Sequence, residues 1–161
     1  MRFLILFVLA VAIVALALLI VGQLGFLKGK APADLGIQDG KLKRPSRTPN
    51  SVTSQADLWP DHPQLAYSQI APFKATGDGS TEMSKIADAL KAMPRTVIVK
   101  QESGYVYAQS TTQLLKFTDD VEFVLDTGKG IIDVRSSSRL GQKDFGVNRA
   151  RIEAIRKAIG Q

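Results

Sequence analysis

The stretch VRSSSRLGQKDFGVNRAR, residues 134–151, sets Arg135, Arg139, Lys143, Arg149 and Arg151 around Asp144, Asn148 and three serines. Two chemistries suit it. In the first, Arg135, Arg139, Arg149 and Arg151 form an anion pocket with the hydroxyls of Ser136 and Ser138. Guanidinium forks match phosphate or carboxylate bidentately, and the free N–H groups that open a helix favour negative charge. A phosphate, a lipid headgroup or an envelope-polymer carboxylate would fit. In the second, the arginines belong to an internal network with Asp119, Asp120, Glu122, Asp133 and Asp144. Gly141 and Gly146 then serve turn geometry, and Asp144 or Asn148 caps the last helix. The charge balance from residue 48 onward, 14 basic against 13 acidic groups, favours the network.

Other residues invite chemistry less strongly. Asp119-Asp120-x-Glu122 resembles a paired-carboxylate or hard-cation site. Strand alternation, however, sends Asp120 and Glu122 to one face and Asp119 to the other. His62, in WPDHP beside Asp61, is the only histidine. Tyr105 and Tyr107 share a sheet face, where they would line a pocket or pack under a helix. There is no cysteine, which excludes disulfides, thiol nucleophiles and Cys-ligated zinc. No G-x-S-x-G elbow occurs. The sequence therefore nominates no catalytic residue, metal site or cofactor.

The elements that must position these residues follow from periodicity. STEMSKIADALKAM, residues 80–93, places Met83, Ile86, Ala87, Leu90 and Met93 on one helical face, and Pro94 ends it. The period then falls to two. Strands are predicted over 96–101, 105–112 (with 113–117 as a continuation), 121–126 and 131–136, joined by short turns. A helix over 147–159 carries Ile152, Ile155 and Ile159 on one stripe. The expected fold is α+β. A two-layer domain would hold a four-stranded antiparallel meander covered on one face by two helices, in the order α-β-β-β-β-α.

Ahead of the domain, residues 3–27 carry no charge. Roughly 20 apolar residues span a bilayer core, so residues 1–27 read as a transmembrane anchor. A cleaved secretory signal is the alternative, with Arg2 as its basic start and Ala31-Pro32-Ala33 as its cleavage site. Residues 28–47 form a basic juxtamembrane linker, six basic groups against two acidic, suited to anionic lipid headgroups. It reads as an extended tether whose continuation from Pro49 lies down on the domain, docked by Val52, Leu58 and Trp59. The domain is assigned to residues 48–161. Charge counting alone leaves the orientation open: the positive-inside rule puts the domain in the cytoplasm, whereas a short basic N-terminus also begins an exported anchor. Nucleic acid is not an expected partner, because the domain shows no basic face interleaved with aromatics.

Three segments, TPNSVTSQA (48–56), FTDDVEFVLD (117–126) and VRSSSRLGQKDFGVNRARIEAIR (134–156), resemble the family of unknown function numbered 1499. The resemblance covers roughly residues 45–159. It implies a bacterial envelope or chloroplast setting, here a single-pass inner-membrane protein with a periplasmic domain. It implies no activity. Family members commonly carry a cysteine pair, and Pro45 and Ser51 occupy those positions here. The expected function is a non-catalytic binding or accessory module that recognises an anionic group or another envelope protein. The alternatives are a hydrolase or transferase using Asp120 as base, and a structural partner of a membrane protein.

Overall fold

Twenty-five uncharged residues leave the chain one way to satisfy its backbone in an apolar medium, and they take it. The computed structural model describes all 161 residues and opens with helix α1 (Arg2–Gln23). At about 1.5 Å per residue this helix is about 33 Å long, and no residue of its most apolar window is buried against the rest of the chain. It is long and apolar enough to cross a membrane, a property that a secretory signal shares.

The domain follows as β1 (Ser51–Thr53), a short 3₁₀ turn (Ala56–Leu58), the one-turn helix α2 (Leu65–Ser68), β2 (Phe73–Lys74), α3 (Ser80–Ala92), β3 (Thr96–Glu102), β4 (Tyr105–Thr111), β5 (Thr118–Asp126), β6 (Ile131–Ser138) and α4 (Val147–Ala158). All strands are antiparallel. The sheet runs β1-β6-β5-β4-β3, and β2 adds to the same edge of β6 beyond β1. The sheet thus has six strands rather than the four expected. The four long ones form the meander. β1 and β2 are three and two residues long, too short to display a period, and prolines interrupt the sequence around both. Residues 113–117 do not extend β4. Lys116 sits at φ 58°, in the left-handed region, and the segment turns as a loop into β5.

Alternation divides the sheet into two faces. On the first, Val106, Ala108, Val121, Phe123, Ile132 and Val134 meet Met83, Ile86 and Leu90 of α3 and Ile152 and Ile155 of α4. Phe73 and Phe123 pack edge to face, 5.6 Å between centroids. Arg149 and Arg156, two turns apart on α4, donate to the carbonyls of Tyr67 and Gln69 and of Ala71 and Pro72, and so pin the segment that leads into β2. The Arg156 guanidinium also lies 4.2 Å over the Phe73 ring.

The second face is covered by residues 29–45, the segment expected to be a tether. It runs from Arg139 at one end of the sheet to a turn bridged by Gln38 and Lys41, then returns. Leu42 is 2% exposed and packs with Tyr105, Tyr107 and Val124. The Gly36 amide donates to Glu122 at 2.6 Å and the Leu42 amide to Gln55 at 2.8 Å, and Asp34 pairs with Lys43 across the two legs. This segment is a strap. Its length carries only three large apolar side chains, Leu35, Ile37 and Leu42, and it binds largely through backbone groups, so no hydrophobic pattern marks it. Of the expected docking residues, Val52 is in the core, Trp59 is half-buried and Leu58 is exposed.

Leu42→Ala should lower domain stability by about 2–5 kcal/mol, the usual result of emptying a buried leucine site. Equilibrium urea unfolding of the full chain in detergent checks this. A midpoint that does not move would return the segment to the status of a tether.

Candidate functional site

The β6–α4 corner and β5 beside it contain the arginines and most of the carboxylates singled out for chemistry, and each of Arg135, Arg139, Arg149 and Arg151 has a partner within the protein. β5 carries Asp119, Asp120 and Glu122, all at most 4% exposed. As alternation requires, Asp120 and Glu122 look to the strap face and Asp119 to the helix face. Arg135, directly across from Glu122 in the β5–β6 register, donates to it at 3.2 Å. Arg139, just past β6, grips both oxygens of Asp120 through Nε and Nη2, at 2.7–3.1 Å. Arg151, in the second turn of α4, reaches down to Asp119 at 2.5 Å.

Uncharged groups add further hydrogen bonds to these carboxylates, while Arg135 Nε is buried without a partner. Tyr105 donates to Glu122 at 2.9 Å and Tyr107 to Asp120 at 2.6 Å. Both tyrosines therefore pack beneath the strap rather than beneath a helix. Burial pushes both hydroxyls well above the usual tyrosine range, and the facing carboxylates add to the effect. The proton stays on the tyrosine, which acts as a fixed donor. On the helix face Arg151 also donates to Ser136 and Asn148, and Ser136 donates to Asn148 at 2.6 Å. The Asn148 amide group donates to the Asn50 carbonyl, with Ser138 also at 3.0 Å.

Asp144 starts α4. Its carboxylate accepts the backbone N–H of Asn148 and of Gly146 and the side-chain amide of Asn148, and Tyr67 donates to it as well. Gly146, at φ 83°, supplies the left-handed residue that lets the chain turn into the helix. Burial pushes the Asp144 carboxyl up, but the hydrogen bonds from Tyr67, Gly146 and Asn148 outweigh it and hold the group below the ordinary aspartate value.

The structure therefore brings Arg135 and Arg139 to the strap face and Ser136, Ser138, Asn148 and Arg151 to the helix face. The sheet lies between the two groups. Arg149 stands apart on the carbonyls of Tyr67 and Gln69. His62 is buried, its Nε2 at 3.1 Å from the Pro45 carbonyl, while its Nδ1 accepts the Gln64 N–H. Asp133 accepts from the Ser54 hydroxyl at 2.6 Å and from the Gln55 amide at 2.8 Å rather than from an arginine, and sequence reasoning missed Tyr67, Gln55 and Gly36 as partners of these charges. Tyr67 and Gln55 carry no local pattern, and Gly36 acts through its backbone alone.

The family model described as protein of unknown function (DUF1499) matches residues 41–159. The chain belongs to the DUF1499 family. The match takes in all six strands and the helices that cover them, together with the return leg of the strap. α1 and the strap's first leg lie outside it. No curated protein and no solved structure matches the chain.

Because the Asp144 carboxyl sits below its unfolded value of about 3.9, its contribution to stability is full above that pH. It disappears as pH falls through the lower folded value. Asp144→Asn should therefore flatten the acid limb of the stability–pH profile and lower the neutral plateau by about 1 kcal/mol, the difference between hydrogen bonds to a charged and to a neutral acceptor. Thermal unfolding of both proteins from pH 2 to 7 measures this, and parallel acid limbs would remove Asp144 from the account.

Proposed function

We propose that this DUF1499 protein is a single-pass membrane protein whose envelope-facing domain is a non-catalytic accessory module, held at the membrane surface and recognising anionic groups there. The observation that carries this reading is the partnering of the corner arginines. Arg135, Arg139 and Arg151 each end on a buried carboxylate, and Arg149 ends on two carbonyls. An oxyanion clamp needs cations with coordination to spare. Asp120, the base that a hydrolase or transferase would use, is gripped by Arg139 and Tyr107 and is 1% exposed.

Five further cations lie in the segment that follows α1. Lys28, Lys30, Lys41, Arg44 and Arg47 are exposed and form no ion pair. Lys28 and Lys30 lie within seven residues of the end of α1, where anionic headgroups are worth about 1 kcal/mol for each basic side chain. An uncleaved anchor fits the packing at the exit of α1. Gly22 lies directly against the backbone of Leu115, and Gln23 donates to the Leu114 carbonyl at 2.9 Å. The segment Ala31-Pro32-Ala33, which a signal reading would have cut, belongs to the strap.

Expressed from its full sequence, the protein should sediment with membranes, resist alkaline extraction and retain its 17.5 kDa mass. Protease added to cells stripped of their outer layers should remove the domain. A soluble product starting near Asp34 would sink the anchor, and a domain protected from external protease would place it in the cytoplasm.

A further inference from the structure

The way the domain sits on α1 fixes which end of it faces the bilayer. One end of the sheet carries the β4–β5 loop, residues 112–117, and the start of the β6–α4 corner, Arg139 and Leu140. The other end carries the tight turns at Ser103-Gly104 and Thr127–Gly130. The first end touches the helix. Gly22 is buried against Leu115, so closely that a Cβ there would lie 2.8 Å from the Leu115 Cα. Gln23 donates to the carbonyls of Gln113 and Leu114. A few residues further on, Gly29 lies against the side chains of Arg139 and Leu140.

These contacts fall in the last turn of α1, and depth follows from that. A helix of about 33 Å crosses a hydrocarbon core of about 30 Å with little to spare. A loop packed on its final turn therefore lies at headgroup depth. The side chains there suit that depth. Leu114 is 64% exposed and Leu140 42% exposed, a poor arrangement in water but an ordinary one at a membrane interface. Leu24 and Phe26, exposed on the chain leaving the helix, add to the same patch. Lys28, Lys30 and Lys116 are near these residues in sequence, with stems long enough to lie along apolar surface while their ammonium groups reach phosphate.

We infer that Leu114 of the β4–β5 loop and Leu140 of the β6–α4 corner form a second membrane contact, inserted into the headgroup layer of the leaflet where α1 emerges and flanked by lysines that favour anionic lipid. The domain is thereby held in one orientation, with its Ser103-Gly104 and Thr127–Gly130 turns directed away from the bilayer. This rests on α1 being an uncleaved anchor.

The absence of native cysteine makes the test direct. Full-length Leu114→Cys, Leu140→Cys, Leu58→Cys and Val14→Cys proteins would each be labelled with an environment-sensitive fluorophore in vesicles of mixed zwitterionic and anionic phospholipid. Spin-labelled lipids of graded depth and aqueous iodide then serve as quenchers. Leu58, exposed beside Lys129 and Ile131 at the far end of the sheet, is the solvent control. Val14, midway along α1, reports the anchor. Labels at Leu114 and Leu140 should be quenched several-fold more strongly by shallow spin-labelled lipid than the Leu58 label, and correspondingly less by iodide. Labels at both leucines that match Leu58 in iodide, while Val14 responds to deep lipid, would overturn the docking and leave the anchor standing. A Val14 label insensitive to deep lipid would overturn both.

Discussion

Three carboxylates within four residues of a central strand are buried, and a buried carboxylate must be paired or protonated. The partners of Asp119, Asp120 and Glu122 come from three places: α4, the residue just past β6, and β6 itself. Pairing them therefore draws β6, the corner and α4 onto β5 from both faces at once. The tyrosines, Ser136 and Asn148 supply hydrogen bonds that the ions would otherwise have taken from water, and the strap excludes water from the second face. The long polar corner is the part of the fold with the most geometric specification, and its specification is internal.

The sequence disclosed elements wherever a period ran long enough to be read. α3 and α4, with apolar residues at helical spacing, and the four long strands form close to where periodicity puts them, except that β5 begins at Thr118, three residues before the expected 121, and so takes Asp119 and Asp120 into the sheet. β1, β2 and the strap had no such signal. Two or three residues cannot show alternation, and a strap held by Gly36, Leu42 and a carbonyl contact at Gly29 looks like any polar linker. The candidate site was legible in its residue types but not in its partners. Arg149 and Arg151 are two positions apart on one helix, yet one ends on carbonyls and the other on a buried carboxylate, a difference set by tertiary placement alone.

The two populations of positive charge have different roles. Arg135, Arg139 and Arg151 are spent on buried carboxylates, and the domain's 14 basic and 13 acidic groups leave it nearly neutral despite a sequence pI near 9.7. Five others, Lys28, Lys30, Lys41, Arg44 and Arg47, are exposed after α1, on or beside a strap that starts near the helix end and lies on the sheet. Helix, strap and domain are thus mechanically continuous.

The central claim, that buried ion pairs are the scaffold, is tested most directly by a double-mutant cycle on Asp120 and Arg139, using Asp120→Leu, Arg139→Met and the double variant, read by chemical denaturation. Each single change leaves one buried charge without its partner and should lower stability by about 3–5 kcal/mol, whereas the double change removes both charges and should recover most of that loss. Single variants within about 1 kcal/mol of the parent, the range of exposed pairs, would contradict the account and return Arg139 to the search for a ligand.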